Sequence, residues 1–361
     1  MNSLSPPSNL RRGSYRQAGP HIRFLSGLRM LVRFLACPIL VGTIQGADLS
    51  KLTNLEGRVI EVEVIALNDN KAEILLGKKP ISYPMDQLTE ESQAEVKRAI
   101  AARKANAAVE NAARMKLPDG KPIVPNSLLS FTVKATDQER KWTKNEHLKE
   151  ILISVSFPKD FDPGKPCPIF FVDDTTPGAN AKQVGSYRAV GNEMGYVVIG
   201  AQAEGVSAAN QLNSWDVRGV ATMRAVTELG KNWPAITQSD WYFGGCSGGA
   251  KNCCYLAVYL HVTFKKPVSG FFISAANEMK LLDAIKNYKS DKQGFRKTVF
   301  FVSSGKTDTI ATPEKAKSVA DGFAQIRLGE VRFELHDGGH ILSQEHYRAA
   351  LKWFTQLRKN P

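Results

Sequence analysis

After the aromatic run Trp241-Tyr242-Phe243 the chain reads Gly244-Gly245-Cys246-Ser247-Gly248-Gly249-Ala250, and then takes on helical character. A strand that becomes a helix within so few residues must bend sharply. Only small residues on either side of Ser247 leave room for that bend. The spacing Gly-x-Ser-x-Gly, over Gly245 to Gly249, lifts the serine to the end of a sheet. It also sets the serine at a helix N-terminus, whose first N–H groups have no partner inside the helix. A turn of this kind requires a strand to end there and further strands to flank it. Short Gly/Ser patterns also occur in ordinary turns, so the rest of the chain decides what this one is for.

The surrounding pattern supplies the flanking strands. From Leu128 onward, short apolar runs alternate with helical stretches. The runs are Ile151 to Phe157, Pro168 to Asp174, Tyr196 to Gln202, Trp241 to Ser247, Val268 to Ala275, Thr298 to Ser304 and Val331 to His336. The helical stretches are Lys182 to Met194, Asp216 to Leu229, Gly249 to Leu260, Met279 to Asn287, Pro313 to Ile326 and Ser343 to Leu357. Most of the runs are apolar throughout, as in a parallel sheet covered on both faces. The alternation predicts an α/β fold with a doubly wound, mostly parallel sheet over residues 128–361.

The first part of the chain differs. Arg58 to Ala66 alternates and is β-branched, Lys71 to Leu76 is a second strand, and Ile81 to Met85 is a third candidate. This predicts a small β-rich domain over 48–88. Thr89 to Met115 has no Pro or Gly and reads as a polar helix; Leu117-Pro118-Asp119-Gly120-Lys121-Pro122 then breaks it. Residues 89–127 are therefore expected to be helix and linker.

The formal net charge of +13 resembles a nucleic-acid signal, but its distribution argues otherwise. Six of those charges are arginines within residues 1–47, a segment without an acid, and the other seven are spread without a basic stripe. No nucleic-acid partner is expected. Leu31 to Ile44 is apolar apart from Arg33, follows arginines and precedes Gln45-Gly46-Ala47. That is the layout of a secretory signal starting at Met30, with an upstream extension, and it is too short for a membrane span. The expected location is secreted or periplasmic. Cys37 would leave with the signal. Cys167, Cys246, Cys253 and Cys254 remain, either paired or as buried thiols.

In a doubly wound sheet the chemistry lies beyond the C-terminal ends of the strands. Two such ends follow Ser247. One leads into Gly305-Lys306-Thr307-Asp308, the other into Asp337-Gly338-Gly339-His340. A serine nucleophile needs a base and an acid that orients it. His340 is the candidate base and Asp308 the candidate acid, with Glu334 and Asp337 as spare carboxylates. Asp308 also reads as a turn or capping residue, although Thr312-Pro313 stands closer to the next helix. His336 and His346 lie in a strand and a helix, and His21, His147 and His261 at no strand end. The oxyanion donors would be the N–H of Gly248 and one from Asp174 or Thr175. Asp173-Asp174 would repel an oxyanion unless both carboxylates point away. Trp215 and Trp233 either line a substrate pocket or pack in the core. No phosphate loop and no metal-ligand cluster is present, so no cofactor is expected.

The order Ser247, Asp308, His340 is that of α/β-hydrolases. Residues 128–361 resemble that superfamily, and within it the secreted esterases of the polyhydroxybutyrate-depolymerase and feruloyl-esterase type. The shared features are Asp216-Val217 opening the helix before the serine strand, Trp233-Pro234, Gly-Cys-Ser-Gly-Gly, the Gly-x-x-Asp turn and Gly338-Gly339-His340. The resemblance implies a secreted serine esterase acting on small-molecule, polysaccharide or polyester esters through an acyl-enzyme on Ser247. Two features depart from it. The early strand ends in Asp173-Asp174 where those esterases carry His-Gly. The cysteine bridge of tannase-like members is also impossible, because Gly339 and Ile341 flank His340. Residues 49–100 resemble the small Sla-one homology domain, an SH3-like barrel, in Asn54-Leu55-Glu56-Gly57-Arg58 and Tyr83-Pro84-Met85-Asp86-Gln87-Leu88. That implies a protein-docking module. Two alternatives stay open: a non-catalytic binding protein on the hydrolase scaffold, and an adaptor acting through residues 48–100.

Overall fold

A computed structural model of the 361-residue chain describes residues 49–176, 179–204 and 215–359; side chains are described for these except at 105, 107–113 and 359. The expected signal segment, Met30 and Cys37 lie outside the described residues. Two compact units are present, divided between Arg103 and Lys104.

The first unit is a four-stranded antiparallel sheet in chain order: β1 (Ser50–Thr53), β2 (Val59–Asn68), β3 (Lys71–Leu76) and β4 (Lys79–Pro84). Leu52, Val62, Val64, Ala72 and Ile74 form its buried face, and Val96, nearly two turns into the helix Glu90–Arg114, closes it. β1 escapes sequence analysis because four residues show too little periodicity. The segments after β1 and β4 meet in the isolated bridge Asn54–Leu88, flanked by hydrogen bonds from Leu55 N–H to the Gln87 carbonyl and from Thr89 N–H to the Thr53 carbonyl, each at 3.0 Å.

The second unit contains the expected α/β sheet, with eight strands. These are β5 (Leu129–Lys134), β6 (Glu150–Ser156), β7 (Ile169–Asp173), β8 (Val197–Glu204), β9 (Trp241–Cys246), β10 (Gly270–Ser274), β11 (Val299–Gly305) and β12 (Val331–His336). Their order is β12-β11-β10-β9-β7-β8-β6-β5, parallel from β12 to β8 and antiparallel from β8 to β5. β8 and β9 lie on opposite sides of β7, so the chain reverses direction across the sheet there. A crevice opens at such a reversal, outside the carboxyl ends of the strands. The segment expected to be linker is partly core: Leu117 is buried and Ile123 packs on the same cluster. β5 and the short helix Asp137–Thr143 were not anticipated. β5 is an edge strand with half its residues exposed, and its pattern is weak.

Aromatic side chains in register hold the sheet centre. Phe171 pairs with Phe243, Phe243 with Phe271, and Phe271 with Phe300. Their ring centroids are 5.0, 6.0 and 5.4 Å apart along this row. The next residues, Phe170, Tyr242, Phe272 and Phe301, face the other side and meet Tyr187, Tyr347 and Phe354 from the helices Asn180–Glu193 and Gln344–Lys359. Runs that are aromatic on both faces are what a doubly covered sheet requires. Phe300 has no exposed surface and also stacks on Phe323 at 4.4 Å. Phe300→Ala is expected to destabilise the second unit by about 3–5 kcal/mol, read from the shift in a urea unfolding curve.

Candidate active site

Ser247 follows the last residue of β9 and caps the helix Gly248–Phe264, with φ 58° and ψ −121°. A non-glycine residue pays about 1–3 kcal/mol for such a conformation, and it persists only where the surroundings enforce it. They do so here. The Ser247 N–H donates to the Ser274 carbonyl at 2.8 Å. A Cβ on Gly245 would lie 2.5 Å from the Asp173 carbonyl oxygen, and one on Gly249 would collide with the same atom. The two motif glycines thus let the end of β7 press against the turn. Cys246 is a small residue at this bend. Burial pushes its thiol up to about 11, so it stays protonated at neutral pH.

Asp308 and His340 are brought together. His340 Nδ1 is 2.8 Å from Asp308 Oδ2. The contact is built by the backbone. Ser274 is in register with Cys246, the last residue of β9, on one side and with Ser303 on the other, about 10 Å apart across two strand spacings, and β11 runs two residues further, to Gly305. Beyond β11 the acid loop is tied to the histidine loop: Lys306 N–H donates to the His336 carbonyl and Thr307 N–H to the Gly338 carbonyl, each at 2.9 Å. Gly305 permits this, because a Cβ there would collide with the carbonyls of Gly338 and Gly339.

The Asp308 side chain has no exposed surface, and its Oδ1 accepts the N–H groups of Ile310 and Ala311 at 2.8 Å each. Thr312, not Asp308, caps the helix Pro313–Gln325. The spare carboxylates are engaged elsewhere: Asp337 pairs with Lys306, and Glu334 with Arg332. Ser247 Oγ makes no hydrogen bond to His340 among the described residues. In unliganded sites the nucleophile–base contact is commonly long and tightens with substrate.

Of the N–H groups expected to hold an oxyanion, one is already engaged. Asp174 N–H is not available, since it donates to Asp173 Oδ1 at 2.7 Å and Asn180 Oδ1 at 3.1 Å. The N–H groups of Gly248 and Thr175 have no hydrogen-bond partner among the described residues. Burial pushes the Asp173 carboxyl up, and the adjoining Arg218 guanidinium pulls it back. Sequence reasoning missed Arg218, Asn180 and Asn252. The signal present was a single arginine inside the apolar stretch Val217 to Val220.

The two tryptophans separate. Trp233 is not at the site. It is buried against Phe157 and Phe161, and its Nε1–H donates to the Lys165 carbonyl, which precedes the opposite, N-terminal end of β7. Trp215 opens the helix Trp215–Gly230, is 38% exposed and stacks on Tyr255 at 3.5 Å. Tyr255 lies two helical turns beyond Ser247, so Trp215 is removed from the nucleophile. Cys167, Cys246, Cys253 and Cys254 are free thiols. Among the described residues no helix is long and apolar enough to cross a membrane.

The sheet order and the turn at Ser247 fit an α/β-hydrolase. No protein-family model matches the chain, and none of the curated proteins matches it. Among solved structures the chain is similar to ferulic-acid-bound Est1E of Butyrivibrio proteoclasticus, with a TM-score of 0.41 at 11% identity over 59% of this chain and 96% of that one. It is also similar to a lidless α/β serine hydrolase of Xanthomonas campestris, with a TM-score of 0.43 at 15% identity over 66% and 97%. A thermostable carboxyl esterase of Bacillus coagulans gives a TM-score of 0.44 at 9% identity over 64% and 98%.

The Asp308 carboxyl has a testable titration. Burial raises its pKa, but the hydrogen bonds from His340, Ile310 and Ala311 outweigh burial and leave it below the ordinary value. A folded-state value below the unfolded value of about 3.9 means that ionised Asp308 stabilises the fold above about pH 4. That contribution is lost as pH falls through the lower folded-state value. Asp308→Asn is therefore expected to have a lower urea midpoint than the parent at neutral pH, with the gap closing as pH falls below about 3.

Proposed function

We propose that this chain is a serine hydrolase that cleaves carboxylic esters through an acyl-enzyme on Ser247. The observation that supports this reading most is the 2.8 Å contact between His340 and a fully buried Asp308, on loops zipped together beside the strained serine turn. Asp308 accepts from Nδ1–H of His340, which leaves Nε2 as the proton acceptor. His340 takes the proton from Ser247 as its oxygen attacks the ester carbonyl. The oxyanion forms against the N–H groups of Gly248 and Thr175. The alcohol leaves with the proton from His340, and water, activated by the same imidazole, releases the acid. No cofactor takes part in this sequence of steps.

The basic and apolar layout of residues 1–47 supports export, to the periplasm or the medium. The four-stranded unit supports a separate module of the Sla-one homology type, with a barrel-like fold and a protein partner.

A fluorophosphonate probe followed by peptide mapping is the decisive experiment. It is expected to label Ser247, and to leave Ser247→Ala unlabelled. The same substitution is expected to lower p-nitrophenyl acetate turnover by at least about 10⁴-fold while leaving the thermal midpoint near that of the parent. Parent protein that resists the probe and turns over no ester would remove the proposal.

A further inference from the structure

The loop leaving β7 carries Asp173 and Asp174 beside the place where negative charge would develop, and free carboxylates there would oppose it. Both are engaged by the protein. The Asp173 side chain is buried and pairs with Arg218, itself 5% exposed, from the helix Trp215–Gly230. Asp174 Oδ1 accepts the N–H of Thr176 at 2.7 Å.

The backbone of Asp174 is held as firmly as the side chains. Its N–H is taken by Asp173 Oδ1 and Asn180 Oδ1. Its carbonyl accepts from Arg218 Nη1 at 2.8 Å and from Asn252 Nδ2 at 3.3 Å. Asn180 Oδ1 also accepts from Arg218 Nη1, at 3.1 Å, so one guanidinium nitrogen serves Asp173, Asp174 and Asn180 together.

The peptide bond between Asp174 and Thr175 is trans, and in a trans peptide the carbonyl and the following N–H point in opposite directions. A carbonyl drawn toward Arg218 therefore turns the Thr175 N–H outward. Thr175 is docked on the serine turn by its hydroxyl, which accepts from Gly249 N–H at 3.2 Å and donates to the Cys246 carbonyl at 3.3 Å. A Cβ on Gly248 would lie 2.9 Å from Thr175 Oγ1 and Cγ2. The two free N–H groups thus belong to residues in contact.

We propose that Arg218 is a positioning residue of the oxyanion site: by holding the Asp174 carbonyl, it aims the Thr175 N–H beside that of Gly248. The inference rests on Ser247 being the nucleophile. Arg218 does not touch substrate; it acts through one peptide plane. The buried acid that departs from the esterase pattern is then the anchor for this arginine, and Asn180 locks the pair.

The test uses the full chain, p-nitrophenyl acetate, and a trifluoromethyl ketone as mimic of the tetrahedral intermediate. Arg218→Met alone strands the Asp173 carboxylate, so the informative variant is Asp173→Asn/Arg218→Met, which removes both charges. Its kcat is expected to fall by about 10²–10³-fold, the usual effect of losing one oxyanion donor, with KM little changed. The affinity for the ketone is expected to fall by a similar factor, an effect that a merely structural role would not produce. Arg218→Lys, which can still reach the carbonyl with an N–H, is expected to keep most of the activity. Asn252→Ala, which removes the other donor to that carbonyl, is expected to lower the same two quantities by a smaller factor. It also decides the matter if the double variant does not fold. A folded double variant, or failing that Asn252→Ala, with parental kcat and ketone affinity overturns the proposal. A parent that neither labels with fluorophosphonate nor hydrolyses ester overturns the nucleophile reading, and this one with it.

Discussion

Close backbone contact between the ends of neighbouring strands governs everything at the carboxyl rim of the second unit. The Asp173 carbonyl presses on Gly245 and Gly249, and the carbonyls of Gly338 and Gly339 press on Gly305. The first contact keeps Ser247 in a conformation that a free chain would abandon. The second brings an acid and a histidine, 32 residues apart, to hydrogen-bonding distance. Side chains supply the chemistry, but glycines at the two contacts determine that the side chains meet. The aromatic row from Phe171 to Phe300 gives the strands the common level on which both contacts depend.

Much of this was legible in the sequence because the signals were local and strong. Runs of six to eight residues, most of them apolar throughout, mark the strands from β6 to β12. The Gly-rich turns after β9, β11 and β12 mark the rim, and the order Ser247, Asp308, His340 places the residues on it. What escaped was weak or non-local. β1 and β5 are short or half exposed, so neither shows a clear alternation. Leu117 sits in a Pro- and Gly-rich stretch that reads as linker, and its burial depends on a core assembled from distant segments.

The errors at the site have the same origin. Trp233 stands shortly before the serine strand in sequence, and proximity to a strand says nothing about which end of it a side chain occupies. Its neighbours Phe157 and Phe161 come from another part of the chain. For Asp174 the sequence does not give the direction of its N–H. That direction follows from the Asp173 carboxylate folding back and from Asn180 beyond the loop. Two adjacent acids look hostile to a developing anion on paper. In three dimensions one is neutralised by Arg218 and the other caps its own turn.

The strand that delivers the histidine stands at the border of the sheet. Among the described residues β12 has β11 on one side and no strand on the other, and most of its residues are only half-buried. Border strands open locally at lower cost than central ones. The three side chains therefore do not share one fate on warming: the serine turn and the carboxylate follow interior strands, while the imidazole follows a strand at the border of the sheet. Local opening of that outer seam, where it precedes melting, parts the imidazole from its buried carboxylate while the interior stays folded.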